Sequence, residues 1–535
     1  MGDHLSRIGP SPAAASPHCS LPAAREEWLN QPSSGFPLHS SDLRWALPLS
    51  WLLLVALLSG AAGPSVAAVR AADVPQPDGW DRELALPQPA DLNPEPHVLE
   101  IELEAKIVEL ELTSGHRTKV WTYNGLLPGP YIRAAKGDRL IVHFRNSLPA
   151  ATTIHWHGVR VPNDMDGTPG LTQPLVQPGD TFTYDFVLRD AGTYWYHPHA
   201  DSAAQVGFGL YGPIVVTDPA DPPVFGDDLV LMLSDMSLDK DHQLLPKTDG
   251  GNFGDLFGRE GDMLLVNGRV MPTLLVRQGK PQRWRIINAA RTRYWTFALR
   301  NTLFTRLGGD NGLAARPEKL PRITISPGER MDLSYIPAVE PGTTQNLRWL
   351  AHDRGYGTTV NRVPENIMAI RSVPDEAVVP DPVPDVLRRI VPVNVAGAVA
   401  HTLDLTINLD GEGVEMGING VPHWNAKPLV ARLGEKHVWT IVNDSAFDHP
   451  FHLHGYFFQV LDDRRVPEWK DTVNVPVKSQ LRIAIDFDER PGAWMYHCHI
   501  LDHAEVGMMG TLQVLPRGAK TPAPEASPHP GHHHP

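Results

Sequence analysis

A short pattern that occurs three times along the chain constrains its fold more than any other feature. Each copy has an Asn-Gly pair, then a proline, then a glycine, and ends with an asparagine nine residues after that glycine. The copies comprise Asn124-Gly125, Pro130, Gly137 and Asn146; Asn267-Gly268, Pro272, Gly279 and Asn288; and Asn419-Gly420, Pro428, Gly434 and Asn443. Repetition at this scale predicts three duplicated domains.

The residues between the last glycine and the last asparagine of each copy read as a β-strand. They include the runs Leu140–Phe144, Trp284–Ile287 and Val438–Val442, which are rich in β-branched and aromatic side chains. The 52 prolines and 45 glycines indicate the turns that many short strands require. We therefore predict an all-β fold of three β-sandwich or Greek-key barrel domains, at 95–221, 225–377 and 390–516.

The two ends of the chain lie outside these domains. Residues 1–72 contain Arg44, the apolar run Leu47–Leu58 and an alanine-rich end, which is the pattern of an export signal. The run is shorter than the ~20 residues that cross a bilayer, so we expect an exported protein, periplasmic or secreted, with an uncleaved signal anchor as the alternative. Residues 517–535 form a Pro/His-rich tail that either binds metal loosely or has no role.

Charge and cysteine content exclude two classes of protein. The formal net charge of -14 argues against a nucleic-acid partner. Two cysteines, Cys19 and Cys498, do not make a disulfide framework. Cleavage of the export signal would remove Cys19 and leave Cys498 as the single cysteine.

Four His-x-His pairs are the strongest sign of a function. They are His155/His157, His197/His199, His452/His454 and His497/His499. Because side chains alternate between the faces of a strand, the two histidines of a pair can point to the same side. One such pair is expected by chance on a surface strand of a histidine-rich chain, but four in apolar or aromatic contexts predict a metal site.

The histidines also follow the repeat. The first pair of each outer domain lies nine and eleven residues after Asn146 or Asn443, whereas the middle copy has Phe297 and Leu299 at those positions. We therefore predict that the first and third domains hold metal ligands and that the second holds none.

A second ligand set surrounds Cys498. Its members are His449, Cys498, His503 and Met508. The strand alternation that brings His497 and His499 to one face turns Cys498 to the other. A thiolate, two imidazoles and a weak axial thioether are the soft ligands that select copper for electron transfer. A core methionine is the alternative for Met508, and a zinc hydrolase is a distant alternative for the whole set.

With these motifs, residues 95–516 resemble a multicopper oxidase of the three-domain, bacterial laccase-like type. The resemblance implies three cupredoxin-like domains and four copper ions, one of type 1, one of type 2 and two of type 3. It assigns type 1 copper to His449, Cys498, His503 and Met508; type 2 copper to His155 and His452; and type 3 copper to His157, His197, His199, His454, His497 and His499. It also implies that electrons pass singly through Cys498 to His497 or His499, and that four of them reduce O2 to water.

The resemblance further implies a carboxylate that delivers protons near the type 2 and type 3 coppers. Asp166 matches that position, although the pair Asp166-Gly167 also suits a turn. Many bacterial relatives have glutamate directly after the second type 1 histidine, where this chain has Ala504. Asp502 and Glu505 are the candidate substitutes for that glutamate.

The expected substrate depends on two positions before His449. Relatives that oxidise cuprous ion have Asp and Met there and a Met-rich insertion, whereas this chain has Ser445, Phe447 and 12 scattered methionines. We therefore expect phenols or aromatic amines as donors and O2 as acceptor. The alternatives are a metal-ion oxidase for Cu(I) or Mn(II) that serves copper tolerance, and a non-enzymatic cupredoxin-type scaffold. The sequence does not define the oligomeric state.

Overall fold

The computed structural model describes residues 70–222, 225–355, 362–409, 413–462 and 465–520. The predicted export segment up to residue 69 and the predicted tail from residue 521 lie outside these residues. The described strands fall into three consecutive groups, and each group makes two sheets.

The first group spans residues 98–217. Its strands are β1 (Val98–Thr113), β2 (His116–Tyr123), β3 (Ile132–Ala135), β4 (Arg139–Asn146), β5 (His155–His157), β6 (Thr181–Val187), β7 (Gly192–His197) and β8 (Gly212–Thr217). They pair in the orders β2-β1-β4-β6 and β3-β8-β7-β5. The core between the sheets includes Phe144, Trp156 and Tyr184.

The second group spans residues 227–372. Its strands are β9 (Asp227–Met236), β10 (Met263–Val266), β11 (Thr273–Val276), β12 (Gln282–Asn288), β13 (Trp295–Ala298), β14 (Phe304–Gly309), β15 (Gly312–Leu320), β16 (Ile323–Ile325), β17 (Arg330–Tyr335), β18 (Thr344–Leu350) and β19 (Glu365–Ser372). They pair in the orders β10-β9-β12-β17-β14-β15 and β11-β19-β18-β13-β16. Phe297 and Leu299, which replace histidine in this copy, are buried in its core.

The third group spans residues 399–515. Its strands are β20 (Val399–Leu409), β21 (Val414–Ile418), β22 (Leu429–Arg432), β23 (Lys436–Asn443), β24 (His449–Leu453), β25 (Phe458–Val460), β26 (Thr472–Val475), β27 (Ser479–Asp486), β28 (Gly492–Cys498) and β29 (Met509–Leu515). They pair in the orders β21-β20-β23-β27-β25 and β22-β29-β28-β24-β26. Cys498 and Met508 belong to the core of this group.

Helices are few and short in the described part of the chain. They are α1 (Ser202–Gly207), α2 (Gly251–Phe257), α3 (Leu501–Glu505) and three single turns of 3-10 helix at Ala71–Asp73, Asn163–Met165 and His423–Asn425. None of the helices in these residues has the length and apolar character that a membrane span requires. The all-β prediction is confirmed, whereas the domain boundaries stay predictions.

The repeated Asn-Gly pairs are hairpin turns. Their backbone φ angles are 55° and 77° at Asn124-Gly125, 51° and 73° at Asn267-Gly268, and 57° and 76° at Asn419-Gly420. Positive φ at both central residues defines the type I′ turn, which asparagine and glycine adopt with the least strain. Each asparagine Oδ1 also accepts a hydrogen bond from the strand that pairs with the one before the turn, from the backbone N–H groups of Glu104 in β1, Met232 in β9 and Asp404 in β20.

The last asparagine of each copy holds the loop that follows its strand. Asn146, Asn288 and Asn443 end β4, β12 and β23, and all three are buried. Their Nδ2 groups donate to loop carbonyls, for example from Asn443 to Phe447 O at 2.7 Å and to Val475 O at 2.9 Å. In the outer domains, this loop leads into the strand that carries the first histidine pair.

Candidate metal centre

Two pairs of antiparallel strands bring the histidines together. Between β5 and β7, His155 lies opposite His197, and between β24 and β28, His452 lies opposite His497. We call the eight histidines of the four His-x-His pairs the histidine cluster. The first and third domains contribute all eight, while the positions equivalent to the first pair are apolar core residues in the second.

The position of the pairs on their strands differs from the prediction. Only His155 and His157 both lie within a strand. His454 and His499 directly follow the ends of β24 and β28, and His199 lies two residues after the end of β7. The second imidazole of those pairs is therefore directed by the turn after the strand and not by strand alternation alone.

The histidine cluster divides into three groups with converging ring nitrogens. The groups are His155, His157 and His452; His157, His197 and His499; and His199, His454 and His497. Within each group, the candidate ligand atoms lie within 4.8 Å of one another. Six of the histidines thus form two sets of three. His155 stacks on His454 of one set and His452 stacks on His157 of the other, each with ring centroids 3.9 Å apart.

Hydrogen bonds direct the free nitrogens of the cluster inward. The Nδ1 atoms of His155, His197, His452 and His497 lie 2.8 Å to 3.0 Å from backbone carbonyls of Asp166, Pro198, Asp471 and Cys498. A carbonyl only accepts, so each Nδ1 carries the proton and each Nε2 keeps its lone pair.

Several of these lone pairs have no protein partner. The buried nitrogens without one include Nε2 of His155, His197, His452 and His499 and Nδ1 of His157. Nε2 of His454 lies 3.2 Å from Nε2 of His497. Buried nitrogens that converge without donors are costly unless a cation binds them, so the residues fit a copper cluster.

Cys498 forms a separate set with His449 and His503, which we call the cysteine site. Its Sγ lies 3.5 Å from His449 Nδ1 and 3.8 Å from His503 Nδ1, and these two nitrogens are 3.2 Å apart. His503 Nε2 donates to Leu256 O at 3.1 Å, and Ser445 Oγ lies 2.9 Å from His449 Nε2. All three side chains are fully buried.

Met508 lies beside the cysteine site along the backbone. Its carbonyl accepts the N–H of Cys498 at 3.0 Å, its own N–H donates to His503 O at 3.0 Å, and its side chain is fully buried. A thioether in this core is the soft, weak ligand that an electron-transfer copper site uses.

Burial keeps most of these imidazoles neutral. It lowers the pKa of His157, His197, His449, His454, His497 and His499 well below the ordinary value, and that of His199 and His503 to about 3. Burial also raises the pKa of the Cys498 thiol to about 12. Metal binding therefore meets neutral imidazoles and displaces a proton from the thiol.

Asp166 is in direct contact with the histidine cluster. Its backbone carbonyl holds His155, and its Oδ2 lies 2.9 Å from His454 Nδ1 and accepts from Thr168 Oγ1 at 2.8 Å. Burial by itself would raise the pKa of this carboxyl, but the contacts with His454 and His155 hold it well below its usual range. Asp166 is therefore also a positioning residue.

Asp471 of the third domain was not predicted from the sequence, and it positions two histidines in the same way as Asp166. Its carbonyl accepts from His452 Nδ1 at 3.0 Å, and its Oδ1 lies 3.3 Å from His157 Nε2. Asp166 and Asp471 each follow the first histidine pair of their domain and precede a threonine that donates to the carboxylate, Thr168 or Thr472. This shared pattern is the signal that could have identified Asp471.

The second domain contributes Arg330 to the same centre. Its guanidinium binds both oxygens of Asp471, at 2.6 Å and 2.5 Å, and donates to Thr193 O of β7 at 3.0 Å. Burial would raise the pKa of Asp471, but Arg330 holds it well below its usual range. Nearby, a Cβ added to Gly328 would lie 2.7 Å from the His499 ring. A domain without predicted ligands thus closes one side of the histidine cluster.

The candidate substitutes for the missing glutamate have other partners. Asp502 is buried, and its carboxylate binds Arg259 Nη1 at 2.5 Å and Thr292 Oγ1 at 3.0 Å. Glu505 Oε1 accepts from the N–H and the hydroxyl of Ser202, at 2.6 Å and 2.8 Å. Ala504 is buried in α3. Among the carboxylates described, Asp166 joins a group of potential metal ligands.

The chain is similar throughout its three groups of strands to proteins of one family. Family models described as multicopper oxidase match residues 104–221, 227–346 and 397–518. The multicopper oxidase MmcO of Mycobacterium tuberculosis is 31% identical, over 85% of this chain and 92% of its own length. A laccase of Bacillus subtilis is 28% identical, over 74% of this chain and 90% of its own length.

Solved structures agree with these relatives. A multicopper oxidase from Campylobacter jejuni, described as a metallo-oxidase, superimposes with a TM-score of 0.72 and 30% identity. That superposition covers 80% of this chain and 94% of the other. The cupredoxin-like domain fold predicted from the sequence is therefore confirmed.

Proposed function

This chain belongs to the multicopper oxidase family, and we propose that it oxidises phenols or aromatic amines and reduces O2 to water. Copper, when bound, supplies the one-electron redox chemistry. The observation that carries the proposal is the sequence His497-Cys498-His499, in which the thiol faces the cysteine site and both imidazoles face the histidine cluster. A single backbone segment thereby joins a site for electron entry to a site for O2.

We propose four copper ions, held as the family resemblance assigns them. His449, Cys498, His503 and Met508 would hold type 1 copper, His155 and His452 type 2 copper, and the other six histidines of the cluster type 3 copper. The three convergent groups of ring nitrogens and the separate cysteine site support this assignment. The chain's residues bind the ions, exclude water by burial and join the two sites through the backbone of Cys498.

We propose that the carboxylate of Asp166 transfers protons to the site where O2 is reduced. Its carboxylate is buried beside His454, and Thr168 holds it in place. A positioned carboxylate is the kind of group that transfers protons to reduced oxygen. Asp502 and Glu505 have the partners described above, so Asp166 is the proposed carrier that contacts the cluster.

A metal-ion oxidase is the second candidate function. The Campylobacter jejuni relative is described as a metallo-oxidase, whereas this chain has Ser445 and Phe447 where cuprous oxidases have acid and methionine. A non-enzymatic scaffold is disfavoured because eleven of the twelve expected ligands converge in the histidine cluster and the cysteine site. We also propose that the chain is exported, on the basis of residues 44–72.

The function is tested by O2 consumption of the copper-loaded protein with a methoxyphenol, an aromatic amine, Cu(I) and Mn(II) as separate donors. We expect O2 uptake with the organic donors, in a ratio of four electrons per O2 and without accumulation of hydrogen peroxide. Uptake with the metal ions alone would replace the laccase-like function by the metal-ion oxidase.

A further inference from the structure

We propose that the cavity beside the cysteine site binds aromatic donors that bear a carboxylate, so that the preferred substrate is an acidic phenol. This inference rests on the proposed function, because it names the substrate class of that function. The cavity has a volume of about 350 Å³. Its lining includes Phe253, Phe257, Arg259, Glu260, Arg291 and Arg362, and we call it the arginine cavity.

Helix α2 and two aromatic rings, Phe257 and Phe447, connect one wall of the arginine cavity to His503. Helix α2 covers His503, whose Nε2 donates to Leu256 O at 3.1 Å. The next residue, Phe257, lines the cavity and packs edge-on against Phe447 with ring centroids 5.4 Å apart. Phe447 in turn lies 6.0 Å from the His503 ring. A donor in the cavity is therefore next to the site where electrons enter.

Two hydrogen bonds connect the wall of the cavity to the helix that carries His503. Leu501 at the start of α3 donates its N–H to Arg291 O at 2.9 Å. Arg259 N–H donates to Asp502 Oδ2 at 2.8 Å, and Asp502 directly precedes His503. Helix α3, which contains His503, thus also holds the cavity wall in place.

Guanidinium groups outnumber carboxylates in the lining. Four arginines, Arg259, Arg291, Arg354 and Arg362, line the cavity with two acids, Asp249 and Glu260. Glu260 lies within 3.4 Å of three guanidinium groups, those of Arg293, Arg354 and Arg362. Two of these groups have further partners, since Arg293 pairs with Asp235 and Arg354 donates to Phe257 O. Arg259 pairs with Asp255 and Asp502. The donors left for a further anion are therefore those of Arg291.

Arg291 is the clearest of these donors. Its Nε donates to Arg259 O at 3.0 Å, and among the described residues it has no acidic partner. It is half-buried at the cavity wall. Arginine recognises carboxylates by two parallel hydrogen bonds, which a lysine or an amide does not reproduce.

The aromatic part of the donor has a matching surface. Phe253 is 75% exposed at the cavity, and its ring stacks with that of Phe257 at 6.3 Å and an interplanar angle of 21°. An exposed phenyl ring beside guanidinium groups is suited to an aromatic ring that carries a negative charge.

The same lining disfavours a metal ion as donor. The described lining residues include no methionine, cysteine or histidine, which are the soft ligands of Cu(I). Four guanidinium groups also repel a cation. The arginine cavity thereby favours the organic donor over the metal-ion alternative.

The reaction balances without a further reagent. Each donor loses one electron and its phenolic proton and becomes a phenoxyl radical. Four donors supply the four electrons and four protons that convert one O2 into two waters. The carboxylate remains ionised and takes no part in the chemistry, so its effect is on binding.

The test compares 4-hydroxy-3,5-dimethoxybenzoate with its methyl ester as donors for the copper-loaded protein. We expect Arg291→Gln and Arg362→Gln each to raise the KM of the acid about three- to tenfold, the range for a charge-assisted contact that is partly exposed to water. The KM of the ester and both kcat values should stay unchanged. Salt should raise the KM of the acid alone, because ions screen the attraction.

A matched control and a binding measurement complete the experiment. Arg117→Gln removes an exposed arginine of β2 that does not line the cavity, and we expect it to change neither KM. Calorimetry with 3,5-dimethoxybenzoate, which lacks the phenolic hydroxyl, should show binding that Arg291→Gln weakens.

Three outcomes decide the inference. Equal changes for acid and ester in the cavity variants, or no change for either, would overturn it while the proposed function stands. Oxidation of neither donor by the wild-type protein would overturn the proposed function, and this inference with it. A selective loss for the acid would support both.

Discussion

Cys498 contacts the cysteine site and the histidine cluster through different atoms. Its Sγ faces His449 and His503, while its backbone carbonyl lies 2.8 Å from His497 Nδ1 in the histidine cluster. The thiol thus contributes to the cysteine site, and the peptide group accepts a hydrogen bond in the histidine cluster. Substitution of the Cys498 side chain should change the cysteine site and leave the backbone contact with His497 in place.

Cys498→Ser is expected to abolish the intense visible absorption of a copper–thiolate site and the oxidation of organic donors. A hydroxyl is a harder ligand than a thiolate and does not hold an electron-transfer copper. Metal analysis should show loss of one copper ion per chain, with the copper of the histidine cluster retained. Donor oxidation that survives in this variant would contradict the proposed electron route.

Asp166→Asn is expected to lower kcat for O2 reduction by about 10²–10⁴-fold, the usual contribution of a positioned proton carrier. Asparagine retains the shape of the side chain but does not carry a proton between groups. The cysteine site should still be reduced by the donor at the wild-type rate, which stopped-flow absorption measures. Asp164→Asn, at an exposed position two residues earlier, is the control, and an equal loss there would contradict the role of Asp166.

In all three domains, the side chain of a buried asparagine at a strand end forms the same hydrogen bonds to the loop that follows. A buried asparagine ends β4, β12 or β23 and fixes the loop after it through carbonyls such as Ala150 O, Arg293 O and Phe447 O. Backbone carbonyls in a buried loop need donors that no strand supplies. The repeated asparagine supplies them, which explains why it recurs even in the domain without histidine pairs.

Asn288→Ala tests this role of the asparagine in the second domain, which carries no histidine pair. The substitution leaves Arg293 O, Ile325 O and the Ala290 N–H without their partner. Each buried group left unsatisfied costs about 1–3 kcal/mol, so the free energy of unfolding should fall by at least about 2 kcal/mol. Chemical denaturation measures it, with Asn366→Ala at an exposed position of β19 as the control. Equal stability of the two variants would show that the Asn288 side chain does not stabilise the loop.

At the scale of the whole molecule, Arg330 joins three domains. It begins β17 in the second, donates to Thr193 O in the first and binds Asp471 in the third. Asp471 in turn holds His157 and His452. The second domain therefore supports the histidine cluster although it supplies none of its imidazoles.

Arg330→Met is expected to lower the free energy of unfolding by about 3–5 kcal/mol, because it leaves the buried carboxylate of Asp471 without its counter-charge. Copper in the histidine cluster should fall, as measured by metal analysis, while the visible absorption of the cysteine site stays. Arg348→Met, at an exposed position of β18, should change neither. Full copper occupancy in Arg330→Met would show that the second domain does not support the cluster.

Much of the candidate site could be predicted from the sequence because its signals are local. The two residues of a His-x-His pair are neighbours on one strand or strand end, so their common direction follows from short-range geometry. The same rule predicts that Cys498 points away from His497, since both lie within β28. The repeat also located the outer domains as the ones that carry the histidines, since each copy has the same offsets.

The all-β fold, the repeat and the candidate ligands follow from local patterns in the sequence. The support of the cluster by Asp471 and Arg330, and the cavity that arginines from separate loops line beside His503, appear only in the folded chain. Arg330 and Asp471 are 141 positions apart in the chain. Contacts between domains leave no periodic trace, because the folding of each domain and the fit of their surfaces select them, and not the spacing of residues along one strand.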